Sequence, residues 1–502
     1  MTIFSRLVGA TFVALVALAG GAAYAEDGPG TLIVVQSAEP VGLDAMQNNL
    51  QHSLNVAFNI EDRLFEPLED GSVAPGLSAS WEFPDDTTLV VKLKPGLTFH
   101  NGEPVNAEAV RYSYERLLSA DLASPHAGRM QQIEAVSVID DLTVEFKTKA
   151  PFAPILHLMS YYFPIVPPVA TAAVTKEEFN QAPIGAGPYK LESWTHGGDI
   201  VLTAFDGYWA GRPAYDKVIF RTIPEESARV ASFLTGESHI IEGVSVRSQA
   251  TIDKSGKGTL TDSMGVMPYV GLNTLKGPLA DQRVRQAVNY GVNRALIKAA
   301  LFNDRGMLAA GPISPRTFGA DLALEAYPYD VEKAKALLAE AGLPDGFETK
   351  LSYPTNMTQV QEQAQAIAAD LDKIGVKVTL EPLDRAVMWE KYKNKEHEMY
   401  IYWWDDNPEP DRYVYSLFNS NSRDYYYKNA ETDALLDKGR STLNRDERAK
   451  IYGEIDRKLY EEAPWIFLYI IPETYAVAPS VDYVGRRDGF LLAQFAKPAA
   501  AN

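Results

Sequence analysis

The sequence predicts an α/β protein built from more than one lobe. Between about residues 330 and 405, amphipathic helical patterns alternate with strand patterns, which is the rhythm of an α/β unit. The chain has 502 residues, well above the ~250 to 300 residues that usually share one hydrophobic core. A cluster of Pro and Gly at Pro183–Pro188 predicts a domain boundary at that point.

The N-terminus has the pattern of a secretory signal peptide. Arg6 precedes an apolar run from Leu7 to Ala19, and the small residues Ala23 and Ala25 precede Glu26. We therefore predict that residues 1–25 are removed and that the protein works in the periplasm. The apolar run is shorter than the ~20 residues that a membrane-spanning helix needs, so we expect a soluble mature chain.

Composition excludes several classes of function. The chain has no cysteine, so no lipidated Cys, disulfide, catalytic thiolate or Cys-bound metal is expected. Its formal net charge of −19 makes nucleic acid an unlikely partner, because nucleic-acid affinity comes largely from basic residues.

The first half of the chain begins with strand patterns. Residues 31–35 read as a buried strand, and residues 89–93 and 142–147 alternate as half-exposed strands do. Asn106 is a candidate N-cap. The helix that follows it would turn its apolar residues inward, and these are Val110, Tyr114, Leu117 and Leu118.

In the second half, helix and strand patterns alternate. Asp330 can cap a helix that ends before Gly342. An apolar stripe over residues 360–371 predicts a second helix, followed by a strand at 376–380 and a third helix at about 385–393.

An aromatic strand followed by acidic residues is the most informative stretch. Residues 399–404 would be aromatic on both faces of a strand, and Pro408 and Pro410 would stop the strand just after Asp406. The carboxylates would then lie on a loop at the carboxyl end of a strand, where open α/β sheets bind ligands. This pattern is typical of a receptor for a cation.

Enzymatic chemistry is not expected. Asp405 and Asp406 are adjacent, so in extended backbone they point to opposite faces, whereas the carboxylates of a glycosidase converge across ~5 to 9.5 Å. The sequence has no Gly-x-Ser-x-Gly, His-Glu-x-x-His or phosphate-loop motif, and Gly185-Ala186-Gly187 is not followed by a dinucleotide fingerprint. We predict no enzyme and no cofactor.

A calcium loop is a weak alternative for the acidic stretch. Positions 1, 3, 5 and 7 of such a loop would be Asp405, Asn407, Glu409 and Asp411. Pro410 would occupy the required glycine position and Ser416 the closing glutamate position. We therefore predict no metal site.

Several motifs in order resemble the peptide-type (family 5) solute-binding proteins of ABC importers. The matching segments are Gly71–Trp81, Lys94–Val110, Gly185–Lys190, Tyr208-Trp209, Asn273-Thr274, Asp281–Asn289 and Ala334–Gly342.

This resemblance implies a two-lobed clamshell of the type II periplasmic-binding-protein fold. Lobe I would comprise residues 26–60, 184–267 and 480–502, and lobe II residues 268–479. An extra domain, residues 61–183, would pack on lobe I. The protein would bind a peptide or other amine-bearing solute between the lobes, usually as a monomer, and deliver it to an ABC permease and its ATPase at the inner membrane.

The resemblance also assigns ligand contacts. An aspartate in a Trp-x-x-Asp stretch binds the ligand ammonium in peptide-binding relatives, which here gives Asp406, with Asp405 as the alternative. The aromatic contacts would be Trp403, Trp404 and Tyr402, and Asn273 would lie near the hinge.

The ligand's other end stays open. Dipeptide-binding relatives hold the ligand carboxylate with an arginine that residues 351–360 lack, although Arg385 is a possible substitute. Alternatives are therefore an oligosaccharide, opine or other conjugate in the same fold, or a secreted hydrolase.

Overall fold

The computed structural model describes residues 30–355, 359–422 and 425–500. The predicted signal peptide, residues 1–25, lies outside the described residues.

The strands of the described residues are β1 Thr31–Gln36, β2 Asp62–Arg63, β3 Phe65–Pro67, β4 Val73–Pro75, β5 Ser78–Asp85, β6 Thr88–Leu93, β7 Ile133–Asp140, β8 Thr143–Thr148, β9 Pro164–Ile165, β10 Tyr189–Trp194, β11 Ile200–Ala204, β12 Lys217–Thr222, β13 Ile240–Ile241, β14 Thr259–Leu272, β15 Met307–Leu308, β16 Phe347–Pro354, β17 Val376–Leu383, β18 Met399–Asp405, β19 Trp465–Phe467, β20 Tyr469–Val477, β21 Val481–Asp482 and β22 Lys497–Pro498.

The α-helices are α1 Gln51–Ile60, α2 Ala107–Leu118, α3 Ile155–Tyr162, α4 Pro168–Ala172, α5 Lys176–Gln181, α6 Glu226–Thr235, α7 Val246–Ser255, α8 Gln282–Gly291, α9 Arg294–Phe302, α10 Val331–Glu340, α11 Val360–Asp372, α12 Arg385–Lys393, α13 Asp411–Phe418, α14 Ala430–Ser441 and α15 Arg445–Glu462. Short 3₁₀-helices are Ala127–Gln132, Pro278–Ala280 and Ala493–Phe495.

Across the described residues, one mixed sheet of twelve strands organises the molecule. Its order is β10-β11-β12-β1-β13-β20-β14-β18-β16-β17, with β15 beside β20 and β19 beside β14. We call β10 to β13 with β1 the N-terminal half of the sheet, and β18, β16 and β17 its C-terminal half. Strand β14 joins the two halves, because it pairs with β20 at residues 259–266 and with β18 at residues 266–272.

Residues 61–183, which we call the middle segment, fold apart from this sheet. Their main sheet is antiparallel in the order β5-β6-β8-β7, and none of their described strands joins the large sheet. This separation is what the predicted division into lobe I, lobe II and an extra domain requires. The domain boundaries themselves stay a prediction.

The hydrophobic core is divided in the same way. One cluster of buried side chains lies almost entirely within residues 45–186. Other clusters pack on the C-terminal half of the sheet and on its N-terminal half. Each region therefore buries its own apolar surface, as independent lobes do.

The glycines at the predicted domain boundary are explained by a close approach of two backbones. The N–H of Gly187 donates to the carbonyl oxygen of Ile60 at 2.8 Å, and a Cβ on Gly185 would lie 2.1 Å from that oxygen. Nε2 of His100 donates to the carbonyl oxygen of Gly187 at 2.9 Å. These glycines are thus needed for packing.

Most elements predicted from the sequence are confirmed. Asn106 and Asp330 both cap helices, and their side chains accept the N–H of Ala109 and of Lys333. One detail was wrong: Leu118 is 39% exposed, because it lies at the end of α2 and points away from the core.

Candidate functional site

The aromatic strand β18 lies inside the large sheet, between β14 and β16. It pairs antiparallel with β14, from Leu272 opposite Met399 to Val266 opposite Asp405, and parallel with β16. Its carboxyl end, and the acidic loop at residues 405–411, therefore emerge where β14 passes from one half of the sheet to the other. The predicted strand and its end before the two prolines are confirmed.

A cavity of about 620 Å³ opens beside this strand, and we call it the central cavity. One wall comes from the middle segment and includes Gly128, Arg129, His157 and Tyr162. The other wall comes from residues 269–440 and includes Tyr269, Trp389, Tyr392, Tyr402, Trp404, Glu409, Asp411, Arg412 and Arg440. Its volume lies within the ~300 to 1,000 Å³ that small-molecule sites usually have.

Aromatic rings form much of the C-terminal wall. Trp389 stacks on Tyr392 with ring centroids 5.4 Å apart, and Tyr392 stacks on Tyr402 at 6.1 Å. Such stacked rings offer flat apolar faces to a ligand. His157 adds no charge on the opposite wall, because burial lowers its pKa to about 3.

The structure brings together only some of the predicted contact residues. Tyr402 and Trp404 line the central cavity, whereas the side chains of Trp403, Asp405 and Asp406 do not. The alternation of side chains along β18 puts Trp403 on the other face, half-buried and stacked on its neighbour Tyr402 at 4.6 Å.

Asn273 lies far from the acidic loop. It follows Leu272, the last residue of β14, which lies about 20 Å along the strand from Val266, the partner of Asp405. Its side-chain amide donates to the carbonyl oxygens of Lys395 and His397, at 3.2 and 2.7 Å. Asn273 therefore fixes the turn that leads into β18 and does not join the other predicted contacts.

Every carboxylate of the acidic loop is paired with arginine. The pairs are Asp405 with Arg412, Asp406 with Arg316 and Arg487, Glu409 with Arg448, and Asp411 with Arg440. Two of them are bidentate: Arg448 to Glu409 at 2.8 and 2.6 Å, and Arg440 to Asp411 at 3.0 and 2.8 Å. Bidentate pairs of this kind are strong and fix geometry.

Asp406 is the most enclosed of these groups, with no exposed surface. Its Oδ2 accepts from Nε of Arg316 at 2.8 Å, and its Oδ1 accepts from Arg487 at 3.3 Å. Its backbone N–H donates to the carbonyl of Gly265 at 2.6 Å. Two guanidinium groups thus surround one carboxylate, and an ammonium could reach Asp406 only if one of them moved.

No pattern in the sequence pointed to Arg316 and Arg487, which lie 90 and 81 residues from Asp406 along the chain. Arg129 was also missed, because its segment carries no motif. A search for arginines that balance the acidic loop would have found too many candidates among the 47 Lys and Arg residues to choose from.

The calcium alternative finds no support in the geometry of the loop. Glu409 and Asp411 direct both of their oxygens at arginines. In the described part of the chain, no group of three or more His, Asp or Glu residues is placed to hold a metal ion.

A mixed α/β fold with two sheet halves and a central cavity of this size fits the class of solute-binding proteins. Comparison with known families gives the particular one. Residues 72–425 match the bacterial extracellular solute-binding proteins, family 5, over the middle region of that family. The chain belongs to this family, and it is the ligand-binding receptor component that works with an ABC permease.

The glutathione-binding protein GsiB of Pectobacterium atrosepticum is 30% identical over 85% of this chain and 86% of its own length. HbpA2 from Haemophilus parasuis superimposes with a TM-score of 0.86, at 26% identity, over 94% of this chain and all of that one. DppA from Helicobacter pylori, in complex with the peptide STSA, has a TM-score of 0.77 at 25% identity, over 93% of this chain and 98% of its own. These structures confirm the predicted type II periplasmic-binding-protein fold.

The similar proteins are binding proteins with an extracytoplasmic role, which agrees with the predicted class and compartment. Among the described residues, no helix has the length and apolar character needed to cross a membrane.

Proposed function

We propose that this protein is a periplasmic receptor that captures a peptide, or a similar amine-bearing solute, in the central cavity. It then delivers the solute to an inner-membrane permease and its ATPase, acts as a monomer, and performs no covalent chemistry. The proposal is supported above all by the cavity itself, which has stacked aromatic rings on one wall and charged groups on both.

The comparisons support the same class of ligand. The relative from Pectobacterium is named for glutathione, a tripeptide-like solute, and the Helicobacter protein holds a tetrapeptide. Both solutes carry a free amine and at least one carboxylate. A cavity with aromatic faces and with guanidinium and carboxylate groups on its walls suits that chemistry.

Binding would shift the protein from an open to a closed arrangement. The middle segment and the C-terminal wall already contact each other: the N–H of Ala153 donates to the carbonyl oxygen of Arg440 at 2.9 Å. The guanidinium carbon of Arg412 also lies 5.4 Å from the ring centre of Tyr161. We assign these contacts to the closed arrangement, and they would break when the cavity opens.

The ligand class is tested by isothermal titration of protein freed of any co-purified solute by unfolding and refolding. The titrants are glutathione, the tetrapeptide Ser-Thr-Ser-Ala, a pool of tetrapeptides with randomised side chains, and an oligosaccharide mixture. Binding of the peptides supports the proposal. Binding of the sugars alone would favour the oligosaccharide alternative, and turnover of any titrant would favour a hydrolase.

The ammonium contact remains a proposal with its own test. Asp406→Asn should lower the affinity for a peptide by about 10- to 100-fold, because a charge-assisted hydrogen bond contributes ~1.5 to 3 kcal/mol. N-acetylation of the peptide should then cost little further affinity in the variant. If the dissociation constant does not change, the same test is repeated with Asp405→Asn, and failure of both excludes Asp405 and Asp406 as the ammonium site.

A further inference from the structure

We propose that Arg129 binds the carboxylate of the ligand, so that this receptor selects solutes with a free acid group. This inference rests on the proposed function and names the part of the solute that the sequence left open. Three features of the central cavity support it: the charges on its walls, the surroundings of Arg129, and the open space beside it.

Among the charged side chains on the cavity walls, one cation has no ion-pair partner in the part of the chain that the structure describes. The walls carry the guanidinium groups of Arg129, Arg412 and Arg440 and the carboxylates of Glu409 and Asp411. Both carboxylates are already bound by arginines, as described above, and Arg412 pairs with Asp405 at 3.2 Å. Within the described residues, no carboxylate lies within ion-pair distance of Arg129.

Arg129 is held at the cavity by an aromatic ring. It lies in the 3₁₀-helix Ala127–Gln132, and its guanidinium carbon is 4.6 Å from the ring centre of Tyr162. This cation–π contact positions the guanidinium group without using its hydrogen-bond donors. The planar donors of Arg129 thus stay available for a carboxylate, which guanidinium binds with two parallel hydrogen bonds.

There is room for a ligand group next to Arg129. Gly128 lines the same wall, and a Cβ built on it would meet no atom within 4 Å. A solute in the cavity can therefore approach the helix that carries Arg129.

The carboxylate of Asp406 is less accessible to a ligand than the guanidinium group of Arg129. Asp406, the residue that the family resemblance assigns to the ligand amine, is fully buried between two guanidinium groups. In a chain with a net charge of −19, the one unpaired charge on the described cavity walls is positive. Coulomb attraction at such a partly enclosed site favours an anionic group over a cationic one.

The test compares acid and amide forms of one ligand in two variants. The probes are Ser-Thr-Ser-Ala and the tetrapeptide pool, each prepared as the free acid and as the C-terminal amide. The variant is Arg129→Gln, and its matched control is Arg247→Gln. The control arginine is also exposed, and it lies in α7, away from the cavity. Affinity is measured by isothermal titration, and thermal melting checks that both variants are folded.

We expect amidation to weaken binding to the wild-type protein by about 10- to 100-fold. Arg129→Gln should weaken binding of the acid by a similar factor and should remove the difference between acid and amide. Arg247→Gln should leave both affinities unchanged.

Equal binding of acid and amide by the wild-type protein would overturn the inference and leave the proposed function intact. So would an equal loss of affinity for acid and amide in Arg129→Gln, because that result indicates a steric role. Absence of binding for every peptide probe would overturn the proposed function, and this inference with it.

Discussion

Two charged elements lie at the central cavity, the acidic loop at residues 405–411 and the 3₁₀-helix Ala127–Gln132. They differ in whether their charged side chains have ion-pair partners. In the loop, every carboxylate has an arginine partner. In the helix, the guanidinium group of Arg129 contacts the ring of Tyr162 and has no carboxylate partner among the described residues. A run of charged residues that is conspicuous in the sequence can thus be neutralised by the fold, whereas one inconspicuous charge stays available for a ligand.

The largest expected effect is a loss of stability when the buried ion pair between Arg448 and Glu409 in the acidic loop is broken. The side chains of Arg448 and Glu409 are only 7% and 3% exposed. Arg448→Met leaves the carboxylate of Glu409 buried without its cation, which should lower the free energy of unfolding by ~3 to 5 kcal/mol. Urea denaturation followed by circular dichroism measures this.

The control for that variant is Arg111→Gln. Arg111 forms its ion pairs with Glu108 and Glu115 at the surface of α2, so its loss should cost at most ~1 kcal/mol. Equal effects of the two variants would contradict the contrast between buried loop pairs and ordinary surface pairs. The double variant Glu409→Gln with Arg448→Met should be more stable than Arg448→Met alone.

The next prediction concerns peptide affinity and the 3₁₀-helix Ala127–Gln132. Gly128→Phe projects a ring into the open space beside Arg129 and should reduce peptide affinity at least ~100-fold, which corresponds to about 2.7 kcal/mol. The free energy of unfolding should hardly change, because the added ring displaces solvent. Titration and urea denaturation on the same preparation measure both quantities.

Gly128→Ala is the matched control, since its single methyl group should leave the affinity within about twofold. A Gly128→Phe protein that binds peptides as tightly as the wild type would place the ligand elsewhere.

The last effect concerns a buried carboxylate that no arginine of the described residues binds, and it appears as a dependence on pH. Asp456 accepts the backbone N–H groups of Ile313 and Asp321, at 3.3 and 3.1 Å, and burial raises its pKa to about 7. The unfolded value is ~3.9, so the folded state holds the proton more tightly. Its stabilising contribution is present below about pH 4 and is lost as the pH rises through about 7.

The Asp456→Asn variant has no ionisable group at this position. Its free energy of unfolding should therefore depend less on pH between 4.5 and 7.5 than that of the wild-type protein. Denaturation curves at pH 4.5, 5.5, 6.5 and 7.5 compare the two proteins. Parallel pH profiles would mean that the carboxyl group of Asp456 is not protonated in the folded state.

The elements that could be predicted from the sequence are those that depend on nearby residues. The caps at Asn106 and Asp330, and the end of β18 before Pro408, follow from interactions within a few positions. The aromatic strand was also predicted correctly, and so was the acidic loop at its carboxyl end.

The charge balance of the site could not be predicted in this way. Arg316 and Arg487 reach Asp406 from about 90 and 80 residues away, and no spacing rule connects them. The resemblance suggested a role for Asp406, but it could not show that the chain supplies its own cations there. The position of Asn273 could not be predicted either. Its distance from the acidic loop depends on how β14 pairs with β18, which the sequence does not show.

The two central strands also limit how the protein can move. Strands β14 and β20 pair over residues 259–266, and their register shifts between Asp262 and Gly265, where Gly265 lies opposite Pro472. Pro472 has no N–H to donate, so the ladder is already incomplete there. Bending at this point breaks fewer hydrogen bonds than bending elsewhere along the pair, whereas sliding one sheet half past the other would break the whole ladder. We therefore expect the two halves of the sheet to rotate about this short region of β14 and β20.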